Sequence, residues 1–466
     1  MNPLRMNVFR KSDIASDFFL SHKYPLTVAL ITVLGYSFGV EFYLNILNML
    51  LLAFGILKTR SALPLVPVVC LYLFSVSPKN SPESHFGSDF YNSAAIVSVI
   101  ALLFLACIVI SLIVMRERGV FSSLSLSDFP LFKSSLWLSS AFLFGGLLSG
   151  EWEVENLLYG SLLIAVYFGV FYFFSLAFKK ENEHTVIRYL IYTAVAMAAV
   201  LIFETAHLYI TNENIIKNGE IVKEQVLYGW GMWTMAGQFL AVTIPLCFLG
   251  VIKQRHWWIY FGVASLALLC TVFTLSRNAL LVGILIYILC VAFCFFFARH
   301  KRAFRIAVLC VFSVALLIFA IFNKEILTAL SDYIERGFSN NGRFALWEHG
   351  IKAFLEEPFL GKGFFGLQRD AEGGTPEGFT FYPRMMHNTQ VQLLGACGIY
   401  GLLAYTVYRI GTLLPFFKKP SVEKIMLLFT LAVIILGSLI DNFLFLPKHL
   451  IFYSITLCAL FKIAKE

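Results

Sequence analysis

Arg343, His387 and Arg277 are the residues of this 466-residue chain best suited to chemistry. Two guanidiniums, with an imidazole able to accept a proton, suit work on an anion and on a hydroxyl proton. Arg343 lies in Asn341-Gly342-Arg343-Phe344-Ala345-Leu346-Trp347, and His387-Asn388 stands where a polar stretch gives way to an apolar run. Arg277, in Thr274-Leu275-Ser276-Arg277-Asn278, interrupts a hydrophobic stretch running from about 257 to 298. An arginine at membrane depth is costly and normally has a partner or a task, although it can also snorkel and stabilise a helix end. Glu204 and His207, one helical turn apart in apolar sequence, form a second polar constellation. Asp441-Asn442 forms a third, read as an interhelical hydrogen bond.

The elements that must position these residues are transmembrane helices. The chain is 59% hydrophobic and 14% charged, with mean hydropathy +0.78. Apolar runs lie near 26–40, 43–57, 62–77, 93–115, 134–150, 157–178, 186–210, 236–252, 257–275, 278–298, 304–323, 389–413, 425–445 and 448–463. Continuous runs near the ~20 residues needed to span a bilayer predict an all-α polytopic protein with about 12–14 transmembrane helices. They exclude an outer-membrane barrel, whose strands alternate. The net charge of +8 is scattered over short turns and implies no nucleic-acid partner. Lys58/Arg60, Arg116/Arg118, Lys179/Lys180, Lys253/Arg255, Arg299/Lys301/Arg302/Arg305 and Lys418/Lys419/Lys424 fall on alternate connections, as do both termini, where Arg5, Arg10 and Lys11 precede a retained first helix. The positive-inside rule then puts both termini in the cytoplasm and 211–235, Ser276-Arg277 and 324–388 on the outer face. The intervening connections, such as Glu151-Trp152-Glu153 and Ser81–Ser93, are acidic or neutral.

The segment 324–388 is long where other connections are short, and such a loop usually carries function. Within it, 342–357 predicts an amphipathic helix: Phe344, Trp347, Ile351, Phe354 and Leu355 recur at helical spacing, Asn341 is the expected N-cap, and Pro358 follows. Such a helix would lie on the membrane surface or over a cavity mouth. Arg343 in its first turn opposes the helix dipole, a cost that a bound anion would relieve. Gly361-Lys362-Gly363 reads as a structural turn, since it lacks the Gly-Lys-Ser/Thr ending of a phosphate loop. The nine cysteines sit in apolar runs and read as small buried hydrophobes, with no metal site expected even at Cys290 and Cys294.

In order, these pieces resemble the O-antigen ligase and O-antigen polymerase superfamily of bacterial inner-membrane glycosyltransferases. The resemblance covers roughly 225–405. It runs through Trp230-Gly231-Met232-Trp233-Thr234-Met235-Ala236-Gly237-Gln238, Leu275-Ser276-Arg277-Asn278, Gly342-Arg343 with Trp347, Pro358-Phe359-Leu360-Gly361-Lys362-Gly363, and His387-Asn388 with Gly398-Ile399-Tyr400-Gly401. It departs at Thr234-Met235, where the family often has Asn-Pro. The resemblance implies a GT-C-like fold in three parts: N-terminal helices (1–225), a ligase/polymerase-like catalytic region (226–405) with a periplasmic loop (324–388), and C-terminal helices (406–466). It also implies transfer of a glycan from undecaprenyl diphosphate at the periplasmic face of the inner membrane, without nucleotide sugar, cofactor or metal. The acceptor would be lipid A–core for a ligase, or a growing lipid-linked repeat unit for a polymerase of O-antigen or capsular polysaccharide. Other polysaccharide-assembly membrane proteins are the expected partners besides the bilayer. On this reading Arg277 and Arg343 hold the diphosphate and His387 activates or orients the acceptor hydroxyl. Asn388 supports His387, while Trp347, Glu204 and His207 line the substrate site. A non-enzymatic transporter of lipid-linked glycan is the rival from another class.

Overall fold

A computed structural model of the chain describes residues 14–72, 75–76, 94–150, 152–217, 220–222, 225–321, 323, 342–372, 383, 385–417 and 420–465. The expected Asn341 cap, the basic N-terminus (Arg5, Arg10, Lys11), Ser81–Ser93, Glu151, Lys418, Lys419 and the 324–341 part of the long loop lie outside the described residues.

Helices occupy the predicted apolar runs. In chain order they are α1 (Ile14–Phe19), α2 (Lys23–Phe38), α3 (Glu41–Thr59), α4 (Ala94–Glu117), α5 (Phe132–Phe144), α6 (Val154–Lys179, with a π-helical middle), α7 (Glu183–Thr211), α8 (Trp233–Lys253), α9 (Trp257–Phe273), α10 (Arg277–Phe297), α11 (Lys301–Ile321), α12 (Arg343–Glu356), α13 (Phe364–Glu372), α14 (Thr389–Phe417), α15 (Val422–Gly437) and α16 (Pro447–Ala464). Among the described residues, seven of these, α3, α4, α6, α7, α8, α10 and α14, are both long and apolar enough to cross a membrane. Over the run at 62–77 the described residues form a buried α/π segment at 65–72. Among the described residues, strand is confined to two hairpins of two-residue strands, Ile216–Lys217 with Glu220–Ile221 and Leu227–Tyr228 with Gly231–Met232.

The packing centre is α8, buried along nearly its whole length and contacting α7, α9, α10 and α15. Small residues permit this: a Cβ on Gly237 would lie 2.6 Å from Thr274 Oγ1. At the other extreme, α11 exposes Ile306, Leu309, Phe312 and Leu317. Apolar surface of that kind belongs against lipid, where helices satisfy their own backbone. Cys290 and Cys294 pack against Met426 and the Phe248 carbonyl, as core residues do, and Cys310 is exposed on α11.

One interruption in the bundle positions the site. Within α14, Gly398 leaves the helical region (φ 62°, ψ −162°), and a Cβ there would sit 2.3 Å from the Phe359 carbonyl oxygen. The turn 357–363 fills that opening. Lys362 and Gly363 N–H donate to the Gly395 and Ala396 carbonyls (both 2.9 Å), and Ile399 N–H donates to the Pro358 carbonyl (2.8 Å). Gly361-Lys362-Gly363 is therefore a structural turn, with positive φ at both glycines.

Candidate functional site

Four elements converge at one end of the bundle: the start of α10, the start of α12, the start of α14 and the loop after α15. Their meeting point is Asp441. Its Oδ1 accepts from His387 Nδ1 at 2.9 Å and from Arg343 Nη2 at 3.4 Å, while Oδ2 accepts from Asn278 Nδ2 at 3.2 Å. Asp441 is buried, whereas His387 is 42% and Arg343 33% exposed at the side chain. A buried carboxylate thus holds a half-exposed guanidinium and imidazole side by side, both open to one surface. From sequence alone Asp441 reads as an interhelical hydrogen bond; in the structure it is the hub. The legible signal is an aspartate near the end of the apolar run 425–445, at the same end as Arg277 and His387.

Each partner is fixed locally. His387 adopts a left-handed backbone (φ 52°), uncommon for a residue with a Cβ. Such a conformation costs on the order of 1–3 kcal/mol and persists where the surroundings enforce it. Here Gln392 does so: its Oε1 accepts from Met386 N–H (2.7 Å) and from Asn442 Nδ2 (2.8 Å), tying the residue before His387 to the residue after Asp441. Asn388 caps α14, its Oδ1 accepting from Gln390 and Val391 N–H (2.9 and 3.1 Å) while its Nδ2 donates to the Leu439 carbonyl (3.0 Å). Its amide is thus spent on orienting the His387 turn. Asn278, in the first turn of α10, also donates to the Gly437 carbonyl (2.8 Å). It couples the Arg277 segment to Asp441, and sequence reasoning gave it no role.

Arg343 opens α12, and the residue at the N-cap is Gly342 in left-handed conformation (φ 75°). No capping side chain is supplied by Gly342, and Asp441 provides the nearby negative charge. Trp347, one turn further on, stands edge-on to Phe344 at 5.5 Å, and its Nε1 is buried without a hydrogen-bond partner among the described residues. Arg277 is half-buried at the start of α10, one residue from Asn278.

Glu204 and His207 are not brought to Asp441. The fully buried Glu204 carboxylate accepts from Gly229 N–H (3.1 Å) and Ser75 Oγ (3.4 Å). Lys448 Nζ, at the start of α16, donates to the neighbouring Trp230 carbonyl (3.0 Å). Together they fix the hairpin that leads into α8. The His207 ring packs against Tyr36 (5.5 Å) and Phe203 (5.7 Å).

A carboxylate hydrogen-bonded to Nδ1 leaves Nε2 of a neutral imidazole as proton acceptor. The adjacent guanidinium supplies a fixed positive charge with several donors, suited to phosphate oxygens. The arrangement can accept a proton from a hydroxyl while binding an anion beside it. No group of three His, Cys, Asp or Glu side chains able to hold a metal ion occurs among the described residues.

Two comparisons with known proteins bear on this site. No curated protein matches the chain. Residues 262–406 match the family model described as O-antigen ligase, a segment that contains Arg277, Asn278, Arg343, Trp347, His387 and Asn388 and stops before Asp441.

Proposed function

We propose, from the O-antigen ligase superfamily that the match over 262–406 supports, that this membrane protein transfers a glycan from undecaprenyl diphosphate to an acceptor at the periplasmic face of the inner membrane. The observation that carries the reading is the convergence of Arg343 and His387 on Asp441, with Arg277 one residue from the Asn278 that completes the cluster. In the proposed reaction the acceptor hydroxyl oxygen bonds to the anomeric carbon. The bond from that carbon to the diphosphate oxygen breaks, and its electron pair leaves with the lipid diphosphate. The hydroxyl proton passes to His387 Nε2. Arg277 and Arg343 stabilise the charge developing on the leaving diphosphate, the role in which preorganised cations count most. Asp441 holds the imidazole in the accepting tautomer and balances the imidazolium that forms. Trp347 offers an aromatic face near the sugar, and Asn388 keeps the His387 turn in register. Glu204 and His207, away from Asp441, would reach only an extended acceptor.

Lipid A–core is the proposed acceptor, which makes the chain a ligase. A polymerase would use the same residues to extend a lipid-linked repeat unit. The discriminating experiment is the surface-glycan profile of a deletion strain, with analysis of its undecaprenyl-linked glycans and complementation by wild type, Arg343→Ala and His387→Ala. Long chains stranded on the lipid carrier with bare lipid A–core identify a ligase. Single repeat units on core without a ladder identify a polymerase. Normal glycan from both point variants would overturn the site.

A further inference from the structure

The segment 343–372 packs in a way that a loop standing free in water would not. Its neighbours are ordered along α14: Arg343 shares Asp441 with His387, two residues before α14, Gly350 lies beside Val391, and the turn after α12 beside Gly395–Tyr400. A Cβ on Gly350 would meet Val391 Cγ1 at 2.5 Å, so the two helices touch. At 1.5 Å per residue, Ile399 is about 15 Å along α14 from Thr389. The far end of α12 therefore lies well down α14 from the site, toward the middle of the bundle, before α13 leads the chain away.

The backbone at that far end is paired with protein. Four hydrogen bonds join Pro358–Gly363 to the opened turn of α14, and Gly146 N–H donates to the Leu360 carbonyl (2.9 Å). Non-helical backbone survives at membrane depth only under that condition. The side chains of α12 divide by face. Leu346, Gly350 and Ala353 turn to the protein, while Glu348, Lys352 and Glu356 form a charged face. Between these two faces runs an apolar stripe, Phe344, Ile351 and Leu355, which Phe359 extends; these side chains are 60%, 46%, 71% and 71% exposed. Leu147 and Leu148, next to the Gly146 that bonds Leu360, are likewise exposed, so apolar surface continues on the chain that leaves α5.

We propose that 343–372 is a re-entrant hairpin whose stripe Phe344–Ile351–Leu355–Phe359 inserts into the acyl region of the leaflet on the site side, with Glu348 and Lys352 at headgroup level. The insertion fixes the depth of Arg343, so that the guanidinium meets the head of a lipid-borne substrate at the plane where that head lies. The first half of this statement is independent of the transferase reading; the second rests on it.

Both halves are tested on the full-length chain in vesicles of phosphatidylethanolamine and phosphatidylglycerol. In a Cys310→Ser background, single nitroxides are attached at Leu355→Cys, Phe359→Cys and Glu348→Cys. Those at 355 and 359 should collide with oxygen in preference to an aqueous nickel chelate, and that at 348 should show the reverse. Equal chelate access at all three positions would overturn the insertion. So would spin–spin broadening at 355 and 359, which would mean that a second copy covers the stripe. For the kinetic half, Leu355→Glu and Phe359→Glu should raise KM for the lipid-linked donor at least about tenfold with kcat held near wild type, since a charge disfavours an inserted face. Leu355→Phe should restore wild-type KM. Inserted nitroxides with unchanged KM in both Glu variants would overturn the depth-setting role alone. A wild-type chain without transfer activity would refute the transferase reading and leave the collision result standing.

Discussion

The two ends of this bundle carry similar charges and use them in opposite ways. At one end, Arg118 pairs with Glu181, Lys253 with Glu423 and Arg60 with Glu117, and Asp128 accepts from both Lys179 (2.8 Å) and Lys465 (3.2 Å). Each of these pairs joins the ends of two or three elements, and carboxylates nearly match cations, Asp128 alone serving two lysines. At the other end one buried carboxylate serves Arg343, His387 and Asn278 together, and the cation and imidazole remain partly open. The first pattern closes loops. The second leaves charge and proton-accepting capacity available, at a residue held in a strained backbone. Charge density alone would not separate the two; the ratio of carboxylates to cations, and what stays exposed, does.

That contrast predicts that activity and stability will divide between the ends. Arg343→Ala and His387→Ala should lower transfer by roughly 10²–10³-fold, the usual cost of removing a preorganised group that meets developing charge. Thermal unfolding in detergent should stay near wild type for both, because each side chain is half-exposed. If either variant instead lost its fold and kept its specific activity, the two ends would be alike. Next in size is Asp441→Asn, which preserves shape and removes the charge. A drop of about 10–100-fold is expected, typical of a group that acts through the residues it orients. Combined with His387→Ala it should add little further loss, because residues that act as a unit are not additive.

Gly398→Ala tests the link between the kink and the site. The new Cβ would fall 2.3 Å from a carbonyl oxygen at a positive φ, so a loss of about 2 kcal/mol or more is expected. The turn 357–363 would be displaced, and α12, which carries Arg343, with it. Transfer should therefore fall more steeply than the melting temperature suggests. A variant that melts early yet turns over at the wild-type rate below its transition would show that the hairpin and the site are uncoupled.

Much of this was legible in the sequence, because apolar run length fixes where helices can form. The helix of 342–357, the structural turn at 361–363 and the alternation of basic connections are all visible in hydropathy, glycine placement and charge. What was not legible depends on contacts between distant residues. Asp441 reads as a hydrogen-bonding aspartate until His387, 54 positions away, is seen at its side. Asn278 and Gln392 are ordinary amides in sequence, and nothing in Gly398-Ile399-Tyr400-Gly401 shows that the helix opens at Gly398. Glu204 is a different case. A carboxylate in apolar sequence suggests a site, and here its partners are Gly229 N–H and Ser75 in a buried loop.

The smallest expected effects belong to the paired end, and Asp128 gives them a pH signature. Burial alone would raise its pKa, but hydrogen bonds from Lys179, the Ser125 N–H and Lys465 outweigh it and hold the carboxyl well below the usual carboxylate range. As pH falls, the unfolded chain therefore takes up the proton first. The stabilisation from Asp128 is complete above the ordinary carboxylate pKa of about 4 and drains away below it. Asp128→Asn should lower the melting temperature at pH 7 and flatten its decline between about pH 4 and pH 3, with transfer per folded molecule unchanged. Arg60→Ala, which breaks a pair exposed on both sides, should shift stability by less than about 1 kcal/mol. Were Asp128→Asn instead to reduce turnover without moving the melting curve, the paired end would share in the chemistry, and carboxylate-to-cation ratio would no longer tell a closed end from a working one.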